Sequence, residues 1–221
     1  SIAILIYAIP YAIDKKYVRF YLLVFLAMMF HTHAFMFLLV PFLFGKPWGK
    51  KTWIILGVVV FAMTTYDSTF GKFMEIALSM GVNIVDWELF DGHQINILRV
   101  AVYGLPTVLM LVFRRRLFLN SGRVENLFAN LTIMASFILA IGLVQGANLF
   151  ARMASYFEIY IALTLPWMIQ KLFTKDSARI VTGMAHALYF VYFLYEHAVS
   201  KSFDAEYRAI SLWQFIISLF S

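Results

Sequence analysis

Long apolar runs separated by short basic segments are the dominant pattern of this chain. The runs occupy residues 2–13, 20–44, 52–66, 95–113, 127–150, 152–170 and 180–195. A helix needs roughly 20 apolar residues to cross a hydrocarbon layer of about 30 Å, and most of these runs approach or reach that length. The pattern therefore predicts an all-α fold, a polytopic integral membrane helical bundle, and the short first run is expected to end a helix that starts upstream.

The run at residues 20–44 is interrupted by His31, Thr32 and His33. Four short loops hold thirteen of the 18 Lys and Arg residues, at residues 15–19, 46–51, 114–123 and 171–179. Such loops collect in the cytoplasm. All four share that face if residues 20–44 form a re-entrant pair of half-helices that turns near the histidines, an arrangement tolerated inside a protein. We favour this arrangement. The alternative, in which residues 20–44 form one long tilted span, stays open.

The polar segment at residues 67–94 also carries apolar side chains at roughly helical spacing. These are Phe73, Ile76, Ala77, Met80, Ile84 and Trp87. The spacing predicts an interfacial amphipathic helix lying on the membrane surface. The segment holds five of the twelve acidic residues of the chain. The predicted topology places it, together with the turn at residues 148–152, on the outer face.

Composition narrows the class of protein further. The chain is 62% hydrophobic and only 14% charged, whereas soluble domains are about half apolar and a quarter charged. The net charge of +6 comes from basic loops between apolar runs, which is typical of a membrane protein and not of a nucleic-acid-binding one. Cysteine is absent, so disulfide and thiolate chemistry is excluded. We expect one transmembrane domain over residues 1–221, as a fragment of a longer protein.

Two arginines next to apolar helices are candidates for binding a phosphorylated substrate. Arg152 is expected at the outer start of a helix, and a charge at such depth is a functional candidate because it is costly there. A guanidinium grips phosphate through paired hydrogen bonds, and Tyr156, one turn further on, would share its face. Arg99 either contacts a second phosphate oxygen or pairs with Asp91 or Glu88, and we favour the ion pair.

The other candidates are bases and hydrogen-bonding groups. His31 lies in an apolar stretch and is a candidate for catalysis. Residues two apart point to different faces of a helix, so joint metal binding by His31 and His33 would need a break, and we expect neither a metal nor a cofactor. On the outer face, a general base for a sugar hydroxyl is sought among Asp86, Glu88, Asp91 and His93. Gln145 and Asn148 either bind a polar ligand or bridge helices.

Three pieces of the chain resemble the EpsG family of bacterial exopolysaccharide biosynthesis proteins, which are Wzy-like polymerases. The first is SIAILIYAIPYAIDKK at residues 1–16, an apolar helix ending in a basic loop. The second is FLAMMFHTHAFMFLL at residues 25–39, with His31 in the histidine position of the family and His33 where a small residue is more usual. The third is RMASYF at residues 152–157, before a helix that contains Pro166.

The resemblance implies a multi-pass protein of the bacterial cytoplasmic membrane. It would join oligosaccharide repeat units carried on undecaprenyl diphosphate, and its partners would be this lipid-linked oligosaccharide, the bilayer and other exopolysaccharide biosynthesis or export proteins. A hydroxyl of one unit would attack the anomeric carbon of another, and the departing diphosphate would need cationic stabilisation, a role that suits Arg152. The alternatives are a transporter or flippase of lipid-linked glycans and a membrane acyltransferase that uses His31.

Overall fold

The computed structural model describes residues 1–65, 95–143 and 147–198, and in these residues every regular element is helical. The α-helices are α1 Ile2–Ile13, α2 Tyr17–Phe30, α3 Lys50–Thr64, α4 Ile97–Val112, α5 Arg114–Leu117, α6 Arg123–Ile141, α7 Ala147–Glu158, α8 Ile161–Leu172 and α9 Lys175–Ala198, and a 3₁₀ helix spans Thr32–Phe42. The chain divides into two compact units, Ser1–Leu172 and Phe173–Ser221. Of the second unit the structure describes essentially α9.

The helix α6 is the centre of the first unit. Twelve of its 19 residues are buried, and α3, α4, α7 and α8 all pack against it. Within the described ranges, α6 alone is both long and apolar enough to cross a bilayer. The all-α fold is thus confirmed for the described residues, whereas several predicted spans are shorter helices. The amphipathic helix predicted at residues 67–94 lies outside the described residues and stays a prediction.

The chain breaks at the histidines of the run at residues 20–44. The helix α2 ends at Phe30, and His31 has an extended backbone with φ −158° and ψ 112°. The 3₁₀ helix begins directly after it and packs against α2. The break lies where the half-helix prediction requires it, although the second half is a 3₁₀ helix instead of an α-helix. Its position in a bilayer stays a prediction.

Two other sequence-based boundaries are wrong. Residues 127–150 were expected to form one span, but α6 ends at Ile141 and the chain turns before α7. At this turn Gly142 approaches its neighbours closely: a Cβ there would overlap the Ile95 side chain and lie 3.1 Å from the Phe150 Cβ. Residues 152–170 were also expected to form one helix, but the helix breaks at residues 159–160 between α7 and α8. Apolar residues flank both breaks, and this favoured continuous spans, although Gly142 and Gly146 are a local signal for the first break.

A buried amide fixes the segment that follows the 3₁₀ helix. Asn130, only 1% exposed, donates from Nδ2 to the carbonyl oxygens of Leu43 at 2.7 Å and Gly45 at 2.8 Å. Its Oδ1 accepts a hydrogen bond from the Thr52 hydroxyl at 3.2 Å. Buried polar groups need hydrogen-bond partners, and the groups in these three bonds satisfy each other. The bonds hold the loop before α3 against the middle of α6.

Buried hydroxyl groups join the helices around α6. Thr107 of α4 contacts Ser136 of α6 with an oxygen–oxygen distance of 2.7 Å, and Thr132 of α6 donates to Thr164 of α8 at 2.9 Å. Interhelical hydrogen bonds of this kind are typical of helices that pack in lipid, where the hydrophobic effect gives little attraction between them. These four hydroxyl side chains therefore lie inside the unit, while its outer surface carries many exposed Leu, Ile, Val and Phe residues.

Candidate functional site

Three segments of the first unit meet at Tyr156 of α7. Its hydroxyl lies 3.0 Å from Ser1 Oγ, and its ring contacts His31 edge-on with a centroid distance of 5.9 Å. Tyr156 itself is only 4% exposed. Since Ser1 precedes α1 and His31 follows α2, these helices form a hairpin with one end at Tyr156. Its Asp14–Lys16 loop lies at the other end, about 18 Å along α1.

His31 and His33 form a linked pair at this place. Their Nδ1 atoms are 3.2 Å apart, so the protonated Nδ1 of one ring donates a hydrogen bond to the unprotonated Nδ1 of the other. In a continuous helix two residues so spaced would point to different faces, but the extended backbone of His31 brings the rings together, with centroids 4.9 Å apart. His31 is exposed and His33 is half-buried. The exposed His31 ring can therefore accept a proton while it keeps its hydrogen bond to the half-buried His33.

Arg152 supplies positive charge beside the histidines. Its guanidinium lies within electrostatic range of the His33 ring, and its side chain is exposed. It precedes Tyr156 by one helical turn, so both residues lie on the same face of α7. Arg152 is not at a helix start, as the sequence suggested, because α7 already begins at Ala147. The unpaired amide groups of that start belong to residues 147–150, so Arg152 itself does not share them.

An aromatic contact holds the 3₁₀ helix against α7. The Phe37 ring stacks on Phe157 with a centroid distance of 5.3 Å and an interplanar angle of 16°, and it lies 6.4 Å from the Tyr156 ring. Phe37 and Phe157 are at most 1% exposed. This packing sets the distance between the two elements, and so it positions the histidine pair relative to Arg152 and Tyr156.

Arg99 of α4 is held by an acidic residue of α7. Its Nη2 lies 3.2 Å from both carboxylate oxygens of Glu158, and its guanidinium carbon lies 5.7 Å from the centre of the Tyr103 ring. An ion pair was the favoured sequence interpretation, but the partner found is Glu158. The partners named from the sequence, Asp91 and Glu88, lie outside the described residues. A phosphate-binding role for Arg99 stays a prediction.

We predict that Glu158→Gln destabilises the protein by about 1–2 kcal/mol. The two side chains are 25% and 11% exposed, so Arg99 would keep a poorly hydrated charge with a weaker partner. Thermal unfolding in detergent measures the change. Asp14→Gln is the control, because the Lys16–Asp14 pair is 53% and 54% exposed and should contribute little. Equal losses in both variants would contradict a structural role for the Arg99 pair.

The structure brings together some of the candidates and leaves others undetermined. His31, Arg152 and Tyr156 meet, whereas Arg99 lies in the first turn of α4 with a partner of its own. The candidates at residues 66–94 and 144–146, and the side chain of Asn148, lie outside the description. These are Asp86, Glu88, Asp91, His93, Gln145 and Asn148. Among the described residues no group of three His, Cys, Asp or Glu side chains could hold a metal ion.

Sequence reasoning missed two contributors to the site. Ser1 reaches Tyr156 although the two are 155 positions apart, and no local pattern indicates such a contact. His33 was left in doubt because it departs from the family pattern. The two histidines were nevertheless a signal for a helix break, because they are polar residues inside a run that is otherwise apolar.

The fold and the site together indicate a class of protein: an all-α protein with an apolar exterior, an internal polar network and a cationic, histidine-containing site on its surface. The sequence profile of the EpsG family matches residues 1–211, nearly the whole chain, and the chain belongs to the EpsG family. This is a family of Wzy-like polysaccharide polymerases that act in the membrane. No curated protein and no solved structure matches the chain.

Proposed function

We propose that this protein polymerises oligosaccharide repeat units carried on undecaprenyl diphosphate, at the outer face of the bacterial cytoplasmic membrane. The observation that carries the proposal is the convergence of His31, His33, Arg152 and Tyr156 from elements far apart in sequence. It combines a cation suited to a diphosphate with a proton-accepting pair. Membership of the family supports the reaction class, and the convergence of these four residues supports this location for it.

The proposed reaction is a glycosyl transfer between two lipid-linked units. An acceptor hydroxyl oxygen forms a bond to the anomeric carbon of the donor unit, and the bond from that carbon to the diphosphate oxygen breaks. The electron pair of the broken bond leaves with undecaprenyl diphosphate, and the hydroxyl proton passes to a base. The protein must therefore stabilise negative charge on the leaving oxygen and accept one proton.

The site offers one residue for each task. The Arg152 guanidinium can donate two parallel hydrogen bonds to diphosphate oxygens. The buried Tyr156, whose ring contacts His31, would position that histidine beside the guanidinium. His31, exposed at the break, would accept the proton, and its hydrogen bond to His33 would orient the ring. The acids at residues 86–91 and His93 remain alternative candidates for the base.

We predict that His31→Gln lowers polymer formation by about 10²–10⁴-fold, because an amide keeps the hydrogen bonding of the ring but accepts no proton at neutral pH. The full-length protein is expressed in a bacterium that lacks its own copy, and the polymer and the unpolymerised lipid-linked units are both quantified. His186→Gln is the matched control, since His186 lies on α9 and its ring contacts the Thr182 carbonyl oxygen.

The location of the unpolymerised units separates a polymerase from a transporter. A failed polymerase leaves single units at the outer face, where an added glycosidase cleaves them in intact cells. A failed flippase leaves them at the inner face, protected from the same enzyme. Protected units in the His31→Gln cells, or normal polymer at normal expression of the variant, would refute the proposed role of His31.

A further inference from the structure

Two basic loops that are far apart in sequence meet at the start of α6. The Phe44 ring lies under the Arg123 guanidinium, with 4.2 Å between the guanidinium carbon and the ring centre. One residue further on, the Gly45 carbonyl is held by Asn130 of α6. The loop that carries Lys46 thereby runs from the Arg123 side chain toward the middle of α6. Lys50 and Lys51 follow at the start of α3, and all three lysines are exposed.

The arginine-rich α5 lies at the same end of the unit. It joins the end of α4 to the segment leading into α6, and these two helices pack against each other. Phe118, which follows α5, packs on Trp167 of α8 with 5.7 Å between ring centroids. We name this set of cations the basic end. It consists of Lys46, Lys50, Lys51, Arg114, Arg115, Arg116 and Arg123.

The charge of the basic end is hardly neutralised by its own loops. Residues 43–52 contain no acid, and residues 113–126 contain one, Glu125. The Glu125 carboxylate accepts a hydrogen bond from the Gly122 backbone at the start of α6, where it offsets the helix dipole. Seven cations therefore face one carboxylate, and the excess favours an anionic partner.

One tryptophan lies beside the arginine part of the basic end. Trp167 of α8 packs on Phe118, directly after α5, and its Nε1 has no hydrogen-bond partner in the structure. Tryptophan is enriched at the membrane–water interface, where its ring lies at the depth of the headgroups. Trp48 lies elsewhere, because its ring packs on Phe137 in the last two turns of α6.

We propose that the basic end binds the headgroups of acidic glycerophospholipids in the cytoplasmic leaflet. The phosphate of such a lipid would pair with the cations, and its chains would cover the neighbouring apolar surface. Clusters of four to eight Lys and Arg residues at the membrane surface are suited to anionic lipids. The inference is independent of the polymerase reaction and of the site at Tyr156.

The test compares two short-chain lipids that share the same acyl chains and differ in headgroup, one anionic and one zwitterionic. The full-length protein in a neutral detergent receives dioctanoyl phosphatidylglycerol or dioctanoyl phosphatidylcholine, and its thermal midpoint is measured. We expect phosphatidylglycerol to raise the midpoint by about 3–6 °C and phosphatidylcholine to leave it unchanged, because a ligand that binds only the folded state stabilises it. Raising the salt to about 1 M should remove most of the shift, because the charges are exposed.

Charge-matched variants locate the site. The triple changes K46Q/K50Q/K51Q and R114Q/R115Q/R116Q should each remove at least half of the shift. The control K15Q/K16Q/R19Q also removes three cations, but from the α1–α2 hairpin, and it should keep the shift. If a triple variant does not fold, Lys50→Gln and Arg115→Gln alone should each weaken lipid binding about two- to five-fold. The proposal is overturned if the control loses as much as the others, if both lipids act alike, or if inorganic phosphate alone reproduces the effect.

Discussion

Replacing Arg152 by Lys is expected to reduce polymer formation by about 10²–10³-fold while the protein still folds. Lysine keeps the positive charge but loses the planar fork that donates two parallel hydrogen bonds to a diphosphate. Loss of one such contact to the charge that develops on the leaving group has an effect of this order. Polymer per unit of protein, measured in cells that lack their own copy, gives the result.

Arg19→Lys is the matched control for Arg152→Lys. Arg19 is also exposed and lies in the first turn of α2, at the hairpin end remote from Tyr156. It should tolerate the change within about two-fold. Normal polymer from Arg152→Lys would remove the phosphate-binding role and leave the polymerase proposal on family membership alone. Loss of protein from the membrane would instead indicate that Arg152 acts in folding.

Asn130→Leu is expected to cause the largest loss of stability, about 2–4 kcal/mol. The side chains are similar in size, but leucine leaves the buried carbonyls of Leu43 and Gly45 without their donor and the Thr52 hydroxyl without one acceptor. Each buried polar group without a partner costs roughly 1–3 kcal/mol, partly offset by relaxation. Thermal or denaturant unfolding in detergent measures the loss.

Thr52→Val serves as the comparison because it removes the hydroxyl bonds to Asn130 and to the Lys46 carbonyl and leaves the amide bonds intact. It should cost about 1 kcal/mol. The double variant should lose less than the sum of the two, since both changes act on one network. If Asn130→Leu were as stable as Thr52→Val, the carbonyls of the loop would have other donors, and the anchoring role of Asn130 would be wrong.

The sequence predicted the helical fold and the break at His31, but the paths of the later helices could not be read from it. A polar interruption in an apolar run is visible locally, and His31 is such an interruption. The turn at Gly142 depends instead on how closely Ile95 and Phe150 approach, which is a property of the packed bundle. Because the sequence stays apolar on both sides of that turn, residues 127–150 resembled one long span.

The candidate site was partly predictable for a related reason. Arg152 and Tyr156 are one turn apart, so their shared face follows from helical geometry. The joining of the two histidines depends on a single extended residue, and the contact of Ser1 with Tyr156 depends on the return of the α1–α2 hairpin. Long-range contacts of this kind have no local sequence signal. The partner of Arg99 was missed because Glu158 lies 59 positions away.

The winding of the 3₁₀ helix has a consequence for the row of side chains that it buries. Ala34, Phe37 and Val40 of this helix, and Leu43 directly after it, recur every three residues and are all at most 1% exposed. With three residues per turn they form a straight seam, whereas in an α-helix each step would rotate by about 60° and bring Leu43 to the side opposite Ala34. The contacts along this seam therefore select the tighter winding. One inserted residue would rotate the following side chains by about 120° about the helix axis. They would then no longer face the helices that the 3₁₀ helix packs against.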